Sequence, residues 1–207
     1  LDGVRAVIFD CDGTLVHSMP AHFLSWCDAL AFYGAANVFQ EDVFYAMGGR
    51  PTKDIVLDLN VQYGLKLNPE AVAMKKRDAF LQRLDEIEVI DEVVEFARRC
   101  CGRLPMAVAT GGTRLVIEKT LQAVGISDYF EDVVSADDVP NGKLAPDVFL
   151  RAAERLACWR ARVSPSRTPR RAFSPPAARA CKLSASLRRS VPGTADRTPE
   201  PAPASAR

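Results

Sequence analysis

Three apolar runs divide the first 157 positions, and each ends in a residue able to do chemistry. Val4 to Phe9 (VRAVIF) ends in Asp10, Leu104 to Ala109 (LPMAVA) in Thr110, and Tyr129 to Ala136 in Asp137 and Asp138. Runs so little interrupted by polar residues predict strands of a parallel sheet covered on both faces. Between and after them the period changes. Asp91 to Cys101 sets Val93, Val94, Phe96, Ala97, Cys100 and Cys101 on one helical stripe that leads into the second run. Thr113 is placed to cap a helix carrying Val116, Ile117, Leu121 and Val124, with Gly125 at its C-terminal stop. Pro146 opens another helix, with Phe149, Ala152 and Leu156 aligned. Strand and helix in alternation predict an α/β, doubly wound architecture.

Residues 18–88 interrupt that order. They carry helical stripes (Phe23, Trp26 and Leu30, then a long helix from Asn68-Pro69-Glu70 through Leu84) and no convincing strand. The simplest organisation is a core of residues 1–17 and 89–157 with a helical cap, 18–88, inserted after the first strand. Such a cap lies over the carboxyl ends of the strands, where open α/β sheets bind ligands.

Charge separates a third segment. From Cys158 onward, 50 residues hold 11 Lys and Arg against 2 acids and include 8 Pro, whereas the first 157 carry a net charge of −8. Residues 158–207 are therefore expected to be a disordered basic tail, too poor in apolar surface to offset chain entropy. Its aromatic residues are only Trp159 and Phe173, which argues against a binding protein that contacts nucleic acid. Six cysteines show no metal-type spacing, and Cys100 and Cys101 are adjacent. That usage suits reduced thiols in the cytoplasm. No run approaches the ~20 apolar residues of a membrane span. The chain opens at Leu1, so upstream residues are expected.

The strand ends carry the chemistry. In FDCDGTL, residues 9–15, Asp10 ends a buried strand, Asp12 follows two positions on, and Gly13 allows a sharp turn. Asp10 could attack phosphorus as a carboxylate nucleophile, and Asp12 could protonate the leaving oxygen and then activate water. Thr110-Gly111-Gly112 offers a hydroxyl and backbone N–H groups to a phosphate after the second run. Lys143, after the third, could neutralise nucleophile and phosphoryl group alike. Any one of these elements is commonplace, since a strand-ending Asp-Gly turn or a solvated lysine needs no ligand. Three in order at successive strand ends are not.

FDCDGTL, ATGG and GKLAPDVF together resemble the first three motifs of the haloacid dehalogenase (HAD) superfamily, in its capped phosphatase branch. PAHFLSW, GGRPT, RLPMAVATGG and DYFEDVVSADDV look most like fructose-1-phosphate phosphatases and β-phosphoglucomutase relatives. The resemblance spans about residues 4–157. It implies a Rossmann-like core and Mg2+-dependent hydrolysis of a small phosphorylated metabolite, a hexose phosphate, by a monomeric enzyme; the alternative it carries is phosphosugar isomerisation. It also implies roles: Asp10 as nucleophile and magnesium ligand, Asp12 as acid/base and second metal residue, Thr110, Gly111 and Lys143 on phosphate, and His22, Arg50, Pro51 and Thr52 selecting substrate from the cap. His17 stands where these relatives usually have an acid.

A fourth motif of these relatives, an acidic pair in a stretch like VFEDSPAGI, has no counterpart here. Asp196 and Glu200 are the only acids after Glu154. Read in a shifted frame, Ser164 through Phe173 (SPSRTPRRAF) permits Val-Ala-Phe-Glu-Asp-Ser-Pro-Ala-Gly-Ile, with Ser as TCN and Arg167 as AGG. The hidden Asp overlaps Thr168, 25 positions after Lys143. A frameshift near Ala157, with loss of the C-terminal strands and impaired activity, is the expectation.

Overall fold

The computed structural model describes residues 3–162 except residue 37, with the backbone alone described for 158–162. Three parallel strands, β1 (Val7–Phe9), β2 (Met106–Ala109) and β3 (Asp132–Val134), form a sheet in the order β1-β2-β3. Ile8 pairs with Ala107, and Val108 with Val133.

Four helices lie between β1 and β2: α1 (Met19–Phe32), α2 (Glu41–Ala46), α3 (Thr52–Tyr63) and α4 (Pro69–Leu81). A fifth, α5 (Asp91–Cys100), leads into β2, α6 (Arg114–Ala123) joins β2 to β3, and α7 (Asp147–Arg162) follows. No helix among the described residues is long and apolar enough to cross a membrane.

Period-2 alternation on β2 explains the layering. Met106 and Val108 face a cluster that includes Phe9, Ala97, Cys100, Ile117 and Leu121, beneath α5 and α6. Ala107 and Ala109 face the opposite way, with Val134, against Val148, Ala152 and Leu156 of α7. Alanine on that face leaves room for α7 to approach, and its anchors recur every four residues as one helical stripe. Truncating Leu156 to alanine there would cost about 2–5 kcal/mol. The helices between β1 and β2 hold a further cluster of Trp26, Leu30, Phe39, Phe44, Ile55, Val56, Leu59 and Val72. Phe80, at the end of α4, belongs instead to the cluster under the sheet, so α4 ties the two together.

Several elements depart from expectation for local reasons. Only Val7–Phe9 of the first run pairs, because the ladder starts where Val7 N–H donates to Pro105 O. In the third run, Ser127–Tyr129 and Ala136–Asp138 wind into 3-10 turns around a three-residue strand. The second turn is held by a capping box: Ser135 Oγ accepts from Asp137 N–H, while the Asp138 carboxylate accepts from Ser135 N–H. The helix expected to reach Leu84 stops at Leu81 and gives way to a 3-10 turn at Leu84–Glu86. Thr113 makes no side-chain cap on α6; Asp137, from the loop after β3, accepts from Arg114 N–H at 2.8 Å instead. Phe149 is 40% exposed rather than aligned with the core, and Val148 takes the buried place. The last helix runs to Arg162, past the boundary drawn at 157. The shifted-frame segment and the rest of the basic tail lie outside the described residues.

Candidate active site

Asp10 follows directly on β1. Its Oδ1 accepts from Cys11 N–H at 2.7 Å and pairs with Lys143 Nζ at 2.6 Å. Among the described residues Oδ2 has no protein partner, and the side chain is 36% exposed. A carboxylate with one oxygen anchored and the other unpaired and accessible has the form of a nucleophile. Lys143 is 15% exposed, and its ammonium also lies 5.3 Å from the Phe149 ring centroid.

The chain then turns tightly. Gly13 adopts φ of +72°, and the Cys11 carbonyl accepts from the N–H groups of Thr14, Leu15 and Val16. A side chain at residue 13 would be strained. Two connecting segments run side by side here: Val16 bridges Val89, His17 N–H donates to Glu88 O, and Ile90 N–H to Leu15 O. His17 is exposed on this ribbon. Cys11 is fully buried between the two acids, where burial, then Asp12 and Asp10, push its thiol far up. It fills space rather than acting as a thiolate.

Asp12 is held from the helical segment. One oxygen, Oδ1, accepts from Ser18 Oγ at 2.6 Å and contacts His22 Nε2 at 3.2 Å. His22 Nδ1 in turn lies 3.1 Å from Lys76 Nζ, and the imidazole stacks on Phe80 at 4.0 Å. An ammonium can only donate, so Nδ1 is the acceptor and the Nε2–H faces Asp12. Burial alone would raise the Asp12 carboxyl, yet the hydrogen bond and electrostatic pull of His22, then the Ser18 hydrogen bond and the Lys76 charge, outweigh it and hold the group down at about 2. Burial and then the Lys76 charge hold His22 below its usual range, so the ring is neutral. Lys76 is itself pushed down to about 8 by burial, against the attraction of Asp12.

At the second strand end, Thr110 is buried, with its N–H donated to Val134 O at 2.9 Å. Its Oγ1 accepts from Gly112 N–H at 3.1 Å, which leaves the hydroxyl proton for an incoming acceptor. Gly111 sits so close to the loop before α3 that an added Cβ would stand 3.2 Å from Gly49 O. Pro51 occupies the N-cap position of α3 and Thr52 opens it, while Arg50 pairs with Asp58 at 2.7 Å.

The structure thus gathers Asp10, Asp12, His22 and Lys143, and sets Gly111 beside Lys143 and the loop before α3. His22 lies against Asp12 rather than in the loop with Arg50. Sequence reasoning missed Lys76, Ser18 and Asp58. Lys76 had a signal: it falls four residues after Val72 and four before Phe80, both buried, so it interrupts an apolar stripe.

Of the two residues expected to hold magnesium, Asp10 offers an uncommitted carboxylate oxygen. On Asp12 only Oδ1 is committed, to Ser18 and His22, so Oδ2 and the main-chain carbonyl remain. No group of three His, Cys, Asp or Glu converges among the described residues. Magnesium is commonly bound by one or two carboxylates with substrate phosphate and water, so this hard-oxygen set fits the ion when a phosphate shares it.

The haloacid dehalogenase-like hydrolase family profile matches residues 4–168. The chain belongs to that family. Fructose-1-phosphate phosphatase YqaB of Escherichia coli (strain K12) is 36% identical over 154 residues, covering 72% of this chain and 79% of the relative. A phosphorylated carbohydrates phosphatase of Thermotoga maritima is 29% identical over 157 residues, 74% of this chain and 71% of its own. In fold, CbbY from Rhodobacter sphaeroides, solved in complex with phosphate, superimposes with a TM-score of 0.67 at 19% identity over 74% of this chain and 73% of that one. The HAD core supplies the strand ends that Asp10 and Thr110 follow directly and the loop after β3 that carries Lys143.

Proposed function

We propose that this site hydrolyses phosphomonoesters of small sugars through a phosphorylated Asp10, and that residues 18–88, which carry α1 to α4, act as its cap. The Asp10–Lys143 contact of 2.6 Å, beside an Asp12 braced by His22, carries the reading. Phosphatase relatives that act on fructose 1-phosphate and phosphorylated carbohydrates support the substrate class.

The Asp10 oxygen left uncommitted forms the bond to phosphorus as the bond to the leaving oxygen breaks. Lys143 and the Thr110 hydroxyl face the charge that gathers on the phosphoryl oxygens. Asp12 gives the sugar oxygen its proton, then takes one from the water that cleaves the aspartyl-phosphate, which restores Asp10 and frees phosphate. Held down at about 2, the Asp12 carboxyl rests in its base form. The acid step needs a proton placed there, and the negative charge of an arriving phosphoryl group favours it. Asp10 and Asp12 would hold a magnesium ion, which would supply positive charge to offset that of the phosphoryl group. Loss of the carboxylate of the fourth motif, expected from the sequence, would weaken that binding and slow turnover.

The test is phosphate release from hexose phosphates at millimolar magnesium, with Asp10→Asn alongside. Phosphate release that Asp10→Asn abolishes is the expected result. Undiminished turnover in Asp10→Asn would refute the nucleophile, and isomerised hexose phosphate without phosphate release would mark an isomerase instead.

A further inference from the structure

Residues 49–51 lie against the strand ends. An added Cβ on Gly49 would stand 4.0 Å from Lys143 Cβ, and one on Gly142 would stand 3.9 Å from Pro51 Cγ. Together with the Gly111–Gly49 approach, these contacts hold Arg50 between two residues that touch the phosphate-side loops. Arg50 therefore has its main chain at the rim of the site. Its guanidinium is nevertheless already engaged: Nη2 meets Asp58 Oδ2 at 2.7 Å, with the two side chains 34% and 49% exposed. Lys53, three residues further on, is likewise compensated, by Glu70 at 2.9 Å.

An arginine so placed is suited to receive a second anionic group on a substrate, because its planar fork matches phosphate and carboxylate. A ligand that brought such a group would have to displace Asp58, and the released carboxylate would then repel it. An uncharged leaving group incurs neither penalty. We propose that Asp58 is a specificity-determining residue, a counter-anion built into α3 that occupies Arg50 and selects sugar monophosphates over sugars bearing a second phosphate or carboxylate. The inference rests on the phosphatase reading above. Because the pair is partly exposed, it grades the preference and does not abolish binding of the second class.

The test is equilibrium binding by calorimetry to the full chain carrying Asp10→Asn, which stops turnover, in the presence of magnesium. The probes are fructose 1-phosphate and fructose 1,6-bisphosphate. Adding Asp58→Asn is expected to tighten the bisphosphate about three- to fivefold, the range an exposed ion pair supports, while the monophosphate changes by less than about twofold. The gain should shrink at about 0.5 M salt and vanish when Arg50→Ala is combined with Asp58→Asn. Equal effects on both ligands, no effect on either, or a gain that survives without Arg50 would overturn the role of Asp58. Binding of neither ligand with Asp58 intact would overturn the phosphatase reading itself.

Discussion

Replacing Lys76 by methionine removes a charge from the interior while keeping the length of the side chain. The ammonium lies 3.1 Å from His22 Nδ1, with the Trp26 and Phe80 ring centroids at 6.0 and 5.9 Å. Burial lowers it from 10.5 to about 8 despite the attraction of Asp12. At 1.36 kcal/mol per pH unit, that gap means the protonated lysine costs the fold roughly 3 kcal/mol relative to the neutral one. The unfolded chain keeps the proton up to about pH 10.5, and the folded chain loses it near 8. Between those values the unfolded state binds more protons, so stability rises with pH. Methionine binds none, and the rise should disappear. At pH 7 the variant is relieved of the charged-lysine penalty but forfeits the hydrogen bond to His22, about 1 kcal/mol. The net expectation is a gain of about 1–2 kcal/mol, or roughly 3–6 °C in Tm for a chain of this size. Turnover should fall at the same time, because Asp12 and His22 lose the cation that orders them. Urea unfolding followed by circular dichroism at pH 7, 8, 9 and 10 measures both proteins. A wild-type minus variant difference that stays flat from pH 8 to 10 would refute the buried-ammonium argument, whatever happens to activity.

Two further outcomes follow from contacts away from that chain. Gly111→Ala places a Cβ 3.2 Å from Gly49 O and 3.5 Å from Lys143 Cδ, so the loop before α3 must retreat by a few tenths of an ångström. Steady-state kinetics should show kcat/KM reduced about threefold or more with Tm changed by no more than about 2 °C, and unchanged kinetics would mean that the loop need not seat there. Asp138 accepts from Arg114 Nη2 at 2.8 Å, Arg155 Nη2 at 2.7 Å and the N–H and hydroxyl of Ser135 at 2.8 Å each. Burial works against this carboxyl, yet those bonds hold it well below the usual carboxylate range. Its stabilising effect is therefore present above about pH 4 and fades as the pH falls further. Asp138→Ala should cost about 2–3 kcal/mol at pH 7 by leaving two guanidinium groups without their shared anion, and a loss under about 0.5 kcal/mol in urea unfolding would show the network to be incidental.

The strand ends were legible because a buried parallel strand announces itself by an unbroken apolar run, and its last residue must emerge at the ligand side of the sheet. Asp10 and Thr110 follow from that rule, whereas Lys143, nine residues past the end of β3, was read from its place after the third run. Strand lengths did not, since backbone pairing rather than apolar character decides where a ladder begins, as the unpaired Val4 and Arg5 show. Helix caps were readable where the cap is local: Asn68 Oδ1 accepts from Ala71 N–H at 3.0 Å, as its place before Pro69 predicts. The cap of α6 was not, because Asp137 reaches Arg114 from 23 residues away. Lys76 shows the same limit at the candidate site. Within Lys75-Lys76-Arg77 it reads as one solvated cation of three, and only its four-residue spacing from Val72 and Phe80 marks it as inward. A cation turned into an apolar stripe requires an anion or acceptor to answer it. Helical period can find the lysine, but its acceptor, His22, and the anion beyond, Asp12, lie 54 and 64 residues earlier. They come within reach because α1 and α4 pack against each other, with Phe80 of α4 stacked on His22. The Asp12 carboxylate, proposed above as acid and base, thus stands on the strand side while its hydrogen-bond donors stand on the helical side, a division that no single stretch of sequence contains.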